Sequence, residues 1–370
     1  MEKDFIPPAR PIIGDEERAA VDRVMRSGMI AQGPEVAAFE QEFADHFVQG
    51  RVTVAVNSGT SGQHLGLLAA GVGAGDEVIV PSFTFAATGN SVALTGATPV
   101  FADIEPDYFS LAADSVRAAI TPRTKGIMPV HLYGHPFLVD EIEAIALEHG
   151  LAIYEDAAQA HGASWKGRPV GTIGDFAMFS LYPTKNMTSG EGGMVSCASD
   201  VIARNVRLLR NQGMEKQYEN EVVGFNARMT DIHAAIGRVQ LTKVDAWTAL
   251  RQRNAATLDA GLSTLAEVQT PKVADGAVHV YHQYTIRVAA AERDRIRRAL
   301  QEEHQVGSGV YYPIPNHRLP SLAKFAPGLD LPETERAASE VLSLPVHPSL
   351  SEGDLERIVQ AVTAVVKAGA

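Results

Sequence analysis

The chain has 370 residues, 45% of them apolar and 21% charged, and a formal net charge of −12. That length exceeds the usual single core and predicts one large domain and one smaller one, with the composition of a soluble globular enzyme. The negative charge argues against a nucleic-acid-binding surface, and any anionic substrate must find local basic or amide contacts against the global field.

Met1-Glu2-Lys3-Asp4-Phe5 lacks a basic region followed by an apolar core, so no signal peptide is expected. Val52 to Val56 predicts a strand that runs through the turn Asn57-Ser58-Gly59-Thr60-Ser61-Gly62 into a helical window at His64 to Ala70. From Val78 to Ala102 there is no charged residue, a length that would suit a membrane span. Pro81, Gly89, Asn90, Gly96 and Pro99 interrupt it, however. It reads instead as strand Val78 to Val80, a polar loop, a helix, and strand Pro99 to Phe101, both strands buried in a parallel sheet. A strand at Gly126 to Val130 follows, then a helix from Val139 to His149 whose Val139, Ile142, Ile145 and Ala146 keep helical spacing, then a strand at Leu151 to Tyr154. The strand Met194 to Cys197 carries the single cysteine, which excludes an internal disulfide and fits a reducing cytoplasm.

A long helical window spans Thr230 to Arg253, and the texture changes near residue 246. His279 to Val288 alternates like a half-exposed strand, followed by a helix at Ala291 to His304, the loop Gly307-Ser308-Gly309 and a strand at Val310 to Tyr312. The expected architecture is α/β: a large domain, 1–245, with a mainly parallel sheet covered by helices, and a smaller α+β domain, 246–370. Ligands of such sheets sit beyond the carboxyl ends of the strands.

Asp156, Ser180 and the turn at 58–62 all fall at such ends. Lys185 lies in Tyr182-Pro183-Thr184-Lys185-Asn186, ahead of Gly190-Glu191-Gly192-Gly193, and Asp156 ends the run Ile153-Tyr154-Glu155-Asp156. A lysine amine that condenses with an aldehyde, an acid that keeps a pyridine nitrogen protonated, and hydroxyls with free amides for a phosphate are what pyridoxal phosphate (PLP) requires. Burial beside apolar neighbours would lower the pKa of Lys185, as such an amine needs. The 57–62 turn is either a plain helix N-cap or a phosphate cradle. Phe85 is either a core residue or a ring that stacks on the pyridine face. Gln159, three residues past Asp156, reaches toward the cofactor's phenolic oxygen. His161 is a base, a partner of Asp156, or structural. His131 and His135 have no acid or cysteine cluster to support a metal site, and none is expected.

Together with Gly75-Asp76-Glu77-Val78-Ile79-Val80-Pro81-Ser82, Glu155-Asp156-Ala157-Ala158-Gln159-Ala160-His161-Gly162, Gly224-Phe225-Asn226 and Leu342-Ser343-Leu344-Pro345, these motifs resemble the DegT/DnrJ/StrS family of PLP-dependent sugar aminotransferases, of fold type I, along nearly the whole chain. The resemblance implies that Lys185 is the Schiff-base lysine and that Asp156 pairs with the pyridine nitrogen. It implies Gln159 at the phenolic oxygen, Phe85 on the ring, and Gly59, Thr60 and Ser180 at the phosphate, with Asn226 supplied by a second subunit of a homodimer. His135 and Ala227 depart from the family's commonest pattern. The activity it implies is transfer of an amino group from L-glutamate to a nucleotide-linked keto-sugar. A cyclitol ketone of the scyllo-inosose type is the alternative substrate, and a non-catalytic PLP-binding regulator the alternative class. No spare segment houses a DNA-binding appendage, and no membrane partner is expected.

Overall fold

The computed structural model describes residues 5–368; Met1 to Asp4, read above for a leader, lie outside them. Seven strands form the central sheet in the spatial order Val52–Val56, Gly193–Cys197, Phe176–Ser180, Ala152–Asp156, Thr124–Ile127, Glu77–Pro81, Thr98–Ala102. Gly193–Cys197 runs antiparallel to both of its neighbours, and every other pairing is parallel. The expected mainly parallel sheet is therefore present. Valines, isoleucines and phenylalanines fill both faces because helices cover both. The charge-free stretch forms strand, helix Ala86–Leu94 and strand as expected. Among the described residues no helix is long and apolar enough to cross a membrane.

Helix Gly59–Ala69 sits unusually close to the sheet, and its glycines are the reason. A Cβ on Gly59 would lie 3.0 Å from Ser180 Cβ, one on Gly62 2.8 Å from Met178 Cγ, and one on Gly66 2.5 Å from the Phe176 ring. Their spacing of three and four puts all three on one helical face, pressed along Phe176–Ser180. The helix Pro34–Phe47, second in the chain, lays Phe39, Phe43 and Phe47 over the opposite face, where Phe43 meets Phe179 with ring centroids 5.2 Å apart. Its first turn is capped from far along the chain: Asp231 accepts hydrogen bonds from the amides of Gly33 (2.7 Å), Val36 (3.0 Å) and Glu35 (3.2 Å).

A separate core joins Ile6 to Ala255, Leu258, Ile286, Leu300, Leu342, Ile358 and Val362, beneath the helices Val244–Leu262, Ala290–Glu302 and Glu352–Lys367. Three local expectations fail here. The window at Thr230 to Arg253 is two helices, Asp231–Leu241 and Val244–Leu262, broken at Thr242-Lys243. Only Tyr284–Arg287 of the 279–288 run is a strand, and all four residues are buried, paired with Val341–Leu344. Tyr281 ahead of it has φ of 43°, which no strand tolerates. Tyr312 likewise has φ of 61°, so Val310 to Tyr312 is loop rather than strand.

Candidate active site

Four strand ends converge at one edge of the sheet. Asp156 and Ser180 are the last residues of adjacent parallel strands, Ser58 follows Val52–Val56, and Phe85 follows Glu77–Pro81. Asp156 is buried and its carboxylate is fully engaged. Oδ2 accepts from Gln63 Nε2 at 2.5 Å and Thr88 Oγ1 at 2.8 Å, and Oδ1 accepts from the Ala158 amide at 3.1 Å. Three donors to one buried carboxylate fix its direction. Gln63 and Thr88 were not singled out from the sequence; a lone glutamine within the apolar run of the helix was the available signal.

Lys185 is half-buried in a turn closed by its amide on the Tyr182 carbonyl at 2.9 Å. Its ammonium has no hydrogen bond or ion pair among the described residues. Loss of water pushes it down to about 8, while the charge of Asp156 pulls the other way. An amine with that pKa is partly unprotonated near neutrality, so it can act both as nucleophile and as proton carrier. Asn186 fixes the turn from behind, donating to the Val280 carbonyl at 3.0 Å and accepting from His282 at 3.3 Å.

At the start of helix Gly59–Ala69, Ser58 caps the Ser61 amide at 3.1 Å and donates to the Ser61 hydroxyl at 2.9 Å. Ser61 is thus engaged locally. The amides of Gly59 and Thr60 remain unused within the helix, Thr60 is exposed, and the hydroxyl of Ser180 would lie 3.2 Å from a Cβ on Gly59. Amides at a helix start that is pressed against a strand-end hydroxyl make an anion cradle. Phe85 is 62% exposed, so it is not a core residue; its ring faces open space at the strand ends.

Gln159 lies at the same edge, but its side chain is held by protein: Oε1 accepts from the Tyr133 amide at 2.6 Å and Nε2 donates to Tyr312 Oη at 2.8 Å. Asn226 is exposed on a segment bound to the first strand, for the Asn57 amide donates to the Ala227 carbonyl at 2.9 Å and Val56 bridges Arg228. Arg228 donates to Asn211 Oδ1 at 2.8 Å and pairs with no carboxylate among the described residues. His161 does not touch Asp156. It packs among Phe43, Phe47 and Phe179, where burial, then the charge of Lys185, drives its pKa to about 3. It stays neutral. His131 donates to the buried Glu155 at 3.1 Å, whose carboxylate also accepts the amides of Gly171, Ile173 and Gly174. His135 accepts from the Ala274 amide at 3.0 Å, and the described residues hold no group of three metal-ligating side chains.

The family model of the DegT/DnrJ/EryC1/StrS aminotransferases matches residues 11–363. The chain belongs to that family. It is 41% identical over 349 residues to dTDP-3-amino-3,4,6-trideoxy-alpha-D-glucose transaminase of Streptomyces venezuelae, covering 94% of this chain and 91% of that one. It is 42% identical, with 92% of each covered, to a protein of Geobacillus stearothermophilus named pleiotropic regulatory protein. Among solved structures, NtdA of Bacillus subtilis with bound pyridoxamine phosphate (PMP) superposes with a TM-score of 0.92 at 31% identity, over 99% of this chain and 86% of that one. The protein is a PLP-dependent sugar aminotransferase of fold type I. Its residues fit the cofactor: a depressed lysine amine, a directed buried carboxylate and an amide cradle lie at one sheet edge.

Proposed function

We propose that the protein moves an amino group from L-glutamate to a nucleotide-linked keto-sugar, of the dTDP-4-keto-6-deoxyhexose class, in amino-sugar biosynthesis. The observation that carries this reading is the pairing of Lys185, lowered to about 8, with an Asp156 whose carboxylate is locked by Gln63 and Thr88. When bound, PLP supplies an aldehyde that takes up the amino group and a ring that accepts electrons. Lys185 would hold the cofactor and would carry the proton that leaves the donor's α-carbon. Asp156 would keep the ring nitrogen protonated. Gly59, Thr60 and Ser180 would hold the phosphate, Phe85 would cover one ring face, and Gln159 would serve the phenolic oxygen. The transaminase relative acts, by its name, on a dTDP-linked sugar, which favours a nucleotide carrier over a free cyclitol.

We assign the active form as a homodimer with Asn226 reaching the partner's phosphate site. The hairpin and the segment after it support this, for Tyr218 (85%) and Val223 (91%) stand exposed there. We also retain the division 1–245 and 246–370, supported by the separate core around Leu258 and Leu342. Borohydride reduction with peptide mapping tests the lysine: the label should sit on Lys185 and vanish in Lys185→Ala. Saturation kinetics on a dTDP-4-keto-6-deoxyhexose and on scyllo-inosose test the substrate. A higher specificity constant for the inosose would overturn the nucleotide-sugar reading and leave the lysine assignment standing.

A further inference from the structure

Among the described residues three arginines are deeply buried, and one of them has no counter-ion. Arg210 pairs with Glu40 at 2.5 Å and Arg287 with Glu340 at 2.8 Å. Arg251, on helix Val244–Leu262 and 6% exposed, has no carboxylate beside it; burial alone lowers its guanidinium, to about 10. Its Nη1 donates to the carbonyls of Tyr281 (3.1 Å) and His282 (3.2 Å), and its Nε is buried with no acceptor. A buried charge without a partner is costly, so the site is electrostatically incomplete.

Arg251 lines two adjoining clefts. One it shares with Thr184, Lys185 and Arg10, the other with Thr184, His282, Gln283, Tyr311 and His347. Burial disfavours the charged form of both His282 and His347, and no acidic residue lines either cleft among the described residues. Each offers about 20 Å³, room for a water or a carboxylate headgroup and not for a sugar ring. A positive, acid-free cleft next to the reactive lysine, in a chain of net charge −12, selects a small anion. A diphosphate is too large for it.

We propose that Arg251, with the Thr184 hydroxyl, docks a carboxylate of the amino-acid donor and so presents the donor's amine to Lys185. This rests on the reading above that the donor is an amino acid, and it names the residues that recognise it. Nη1 is taken by the two carbonyls and no hydrogen bond engages the rest of the planar guanidinium, which suits a carboxylate in a way a lysine would not.

Two measurements on the holoenzyme test it. In steady-state kinetics, Arg251→Met should raise the KM for L-glutamate by about 10- to 100-fold, the range expected for hydrogen bonds to a charged group, with the KM for the keto-sugar little changed. Arg251→Lys should recover only part of the loss. Thr184→Val, which leaves the carbonyl contacts of Arg251 intact, should raise the glutamate KM alone, and it serves if Arg251→Met folds poorly. The second measurement is calorimetric titration with glutarate, which has carboxylates and no amine: wild type should bind it and Arg251→Met should not. Equal changes in both KM values, or glutarate affinity unaltered in the variants, would overturn the inference. A wild type that accepts no amino acid overturns the proposed function instead, since glutarate binding reads the cleft without turnover.

Discussion

Asp156→Asn is the most discriminating single change, because it removes one charge and almost no volume. In the wild type Oδ2 receives donors from Gln63 (2.5 Å) and Thr88 (2.8 Å), and Oδ1 receives the Ala158 amide (3.1 Å). An asparagine must turn its own NH₂ toward one of these sides, so at least one donor loses its acceptor. A hydrogen bond to a charged group is worth about 1.5–3 kcal/mol, and each 1.4 kcal/mol is tenfold in rate. With the pyridinium partner also gone, kcat should fall by about 10²-fold. Lys185 reports the same charge independently. Burial lowers its amine to about 8, and Asp156 is the charge that raises it. Without that charge the amine should titrate lower still. The pH dependence of amine labelling at Lys185 in the apoprotein, followed by peptide mapping, measures this directly. A midpoint equal to or above that of wild type would refute the electrostatic facing of the two residues. Turnover close to wild type would refute the role of Asp156 at the ring.

Lys185→Met should stabilise the apoprotein at neutral pH, because the folded pKa of about 8 lies below the unfolded 10.5. The wild-type penalty is fully present below pH 8 and fades as pH rises toward 10.5, so the gap between the two melting temperatures should close over that window. Gly66→Ala should destabilise by about 1–3 kcal/mol, as overpacking does, since the new Cβ would lie 2.5 Å from the Phe176 ring. Because the same helix starts at Gly59, thermal melts should show a smaller stabilisation by PLP in that variant than in wild type.

The parallel sheet was legible because buried strands leave continuous apolar runs, and Val52–Val56 and helix Val139–His149 appear with the bounds their residues predict. Legibility fell where the backbone departs from regular dihedrals. Tyr281 and Tyr312 carry strand-like side chains, yet both adopt positive φ; around Tyr281 the 279–283 segment is bound crosswise between the Lys185 turn and the 131–135 turn. Val280 donates to the Gly134 carbonyl at 3.0 Å and Gln283 to that of Tyr133 at 3.2 Å. Those bonds join residues nearly 150 positions apart, and local propensity has no access to them.

The site divides along the same line. Lys185, Asp156 and the 57–62 turn announce themselves because each chemical type sits at a strand end. The groups that tune them do not. Gln63 and Thr88 reach Asp156 across 93 and 68 positions, Tyr312 reaches Gln159 across 153, and Arg251 becomes notable only once its lack of a carboxylate is seen in space. His161 shows the converse: Asp156 lies five residues before it, yet its surroundings are three phenylalanines. A sequence states which side chains are available for chemistry. Whether a given one is engaged, desolvated or left uncompensated depends on neighbours brought in from elsewhere, and in this protein those neighbours set both the pKa of the lysine and the direction of the acid.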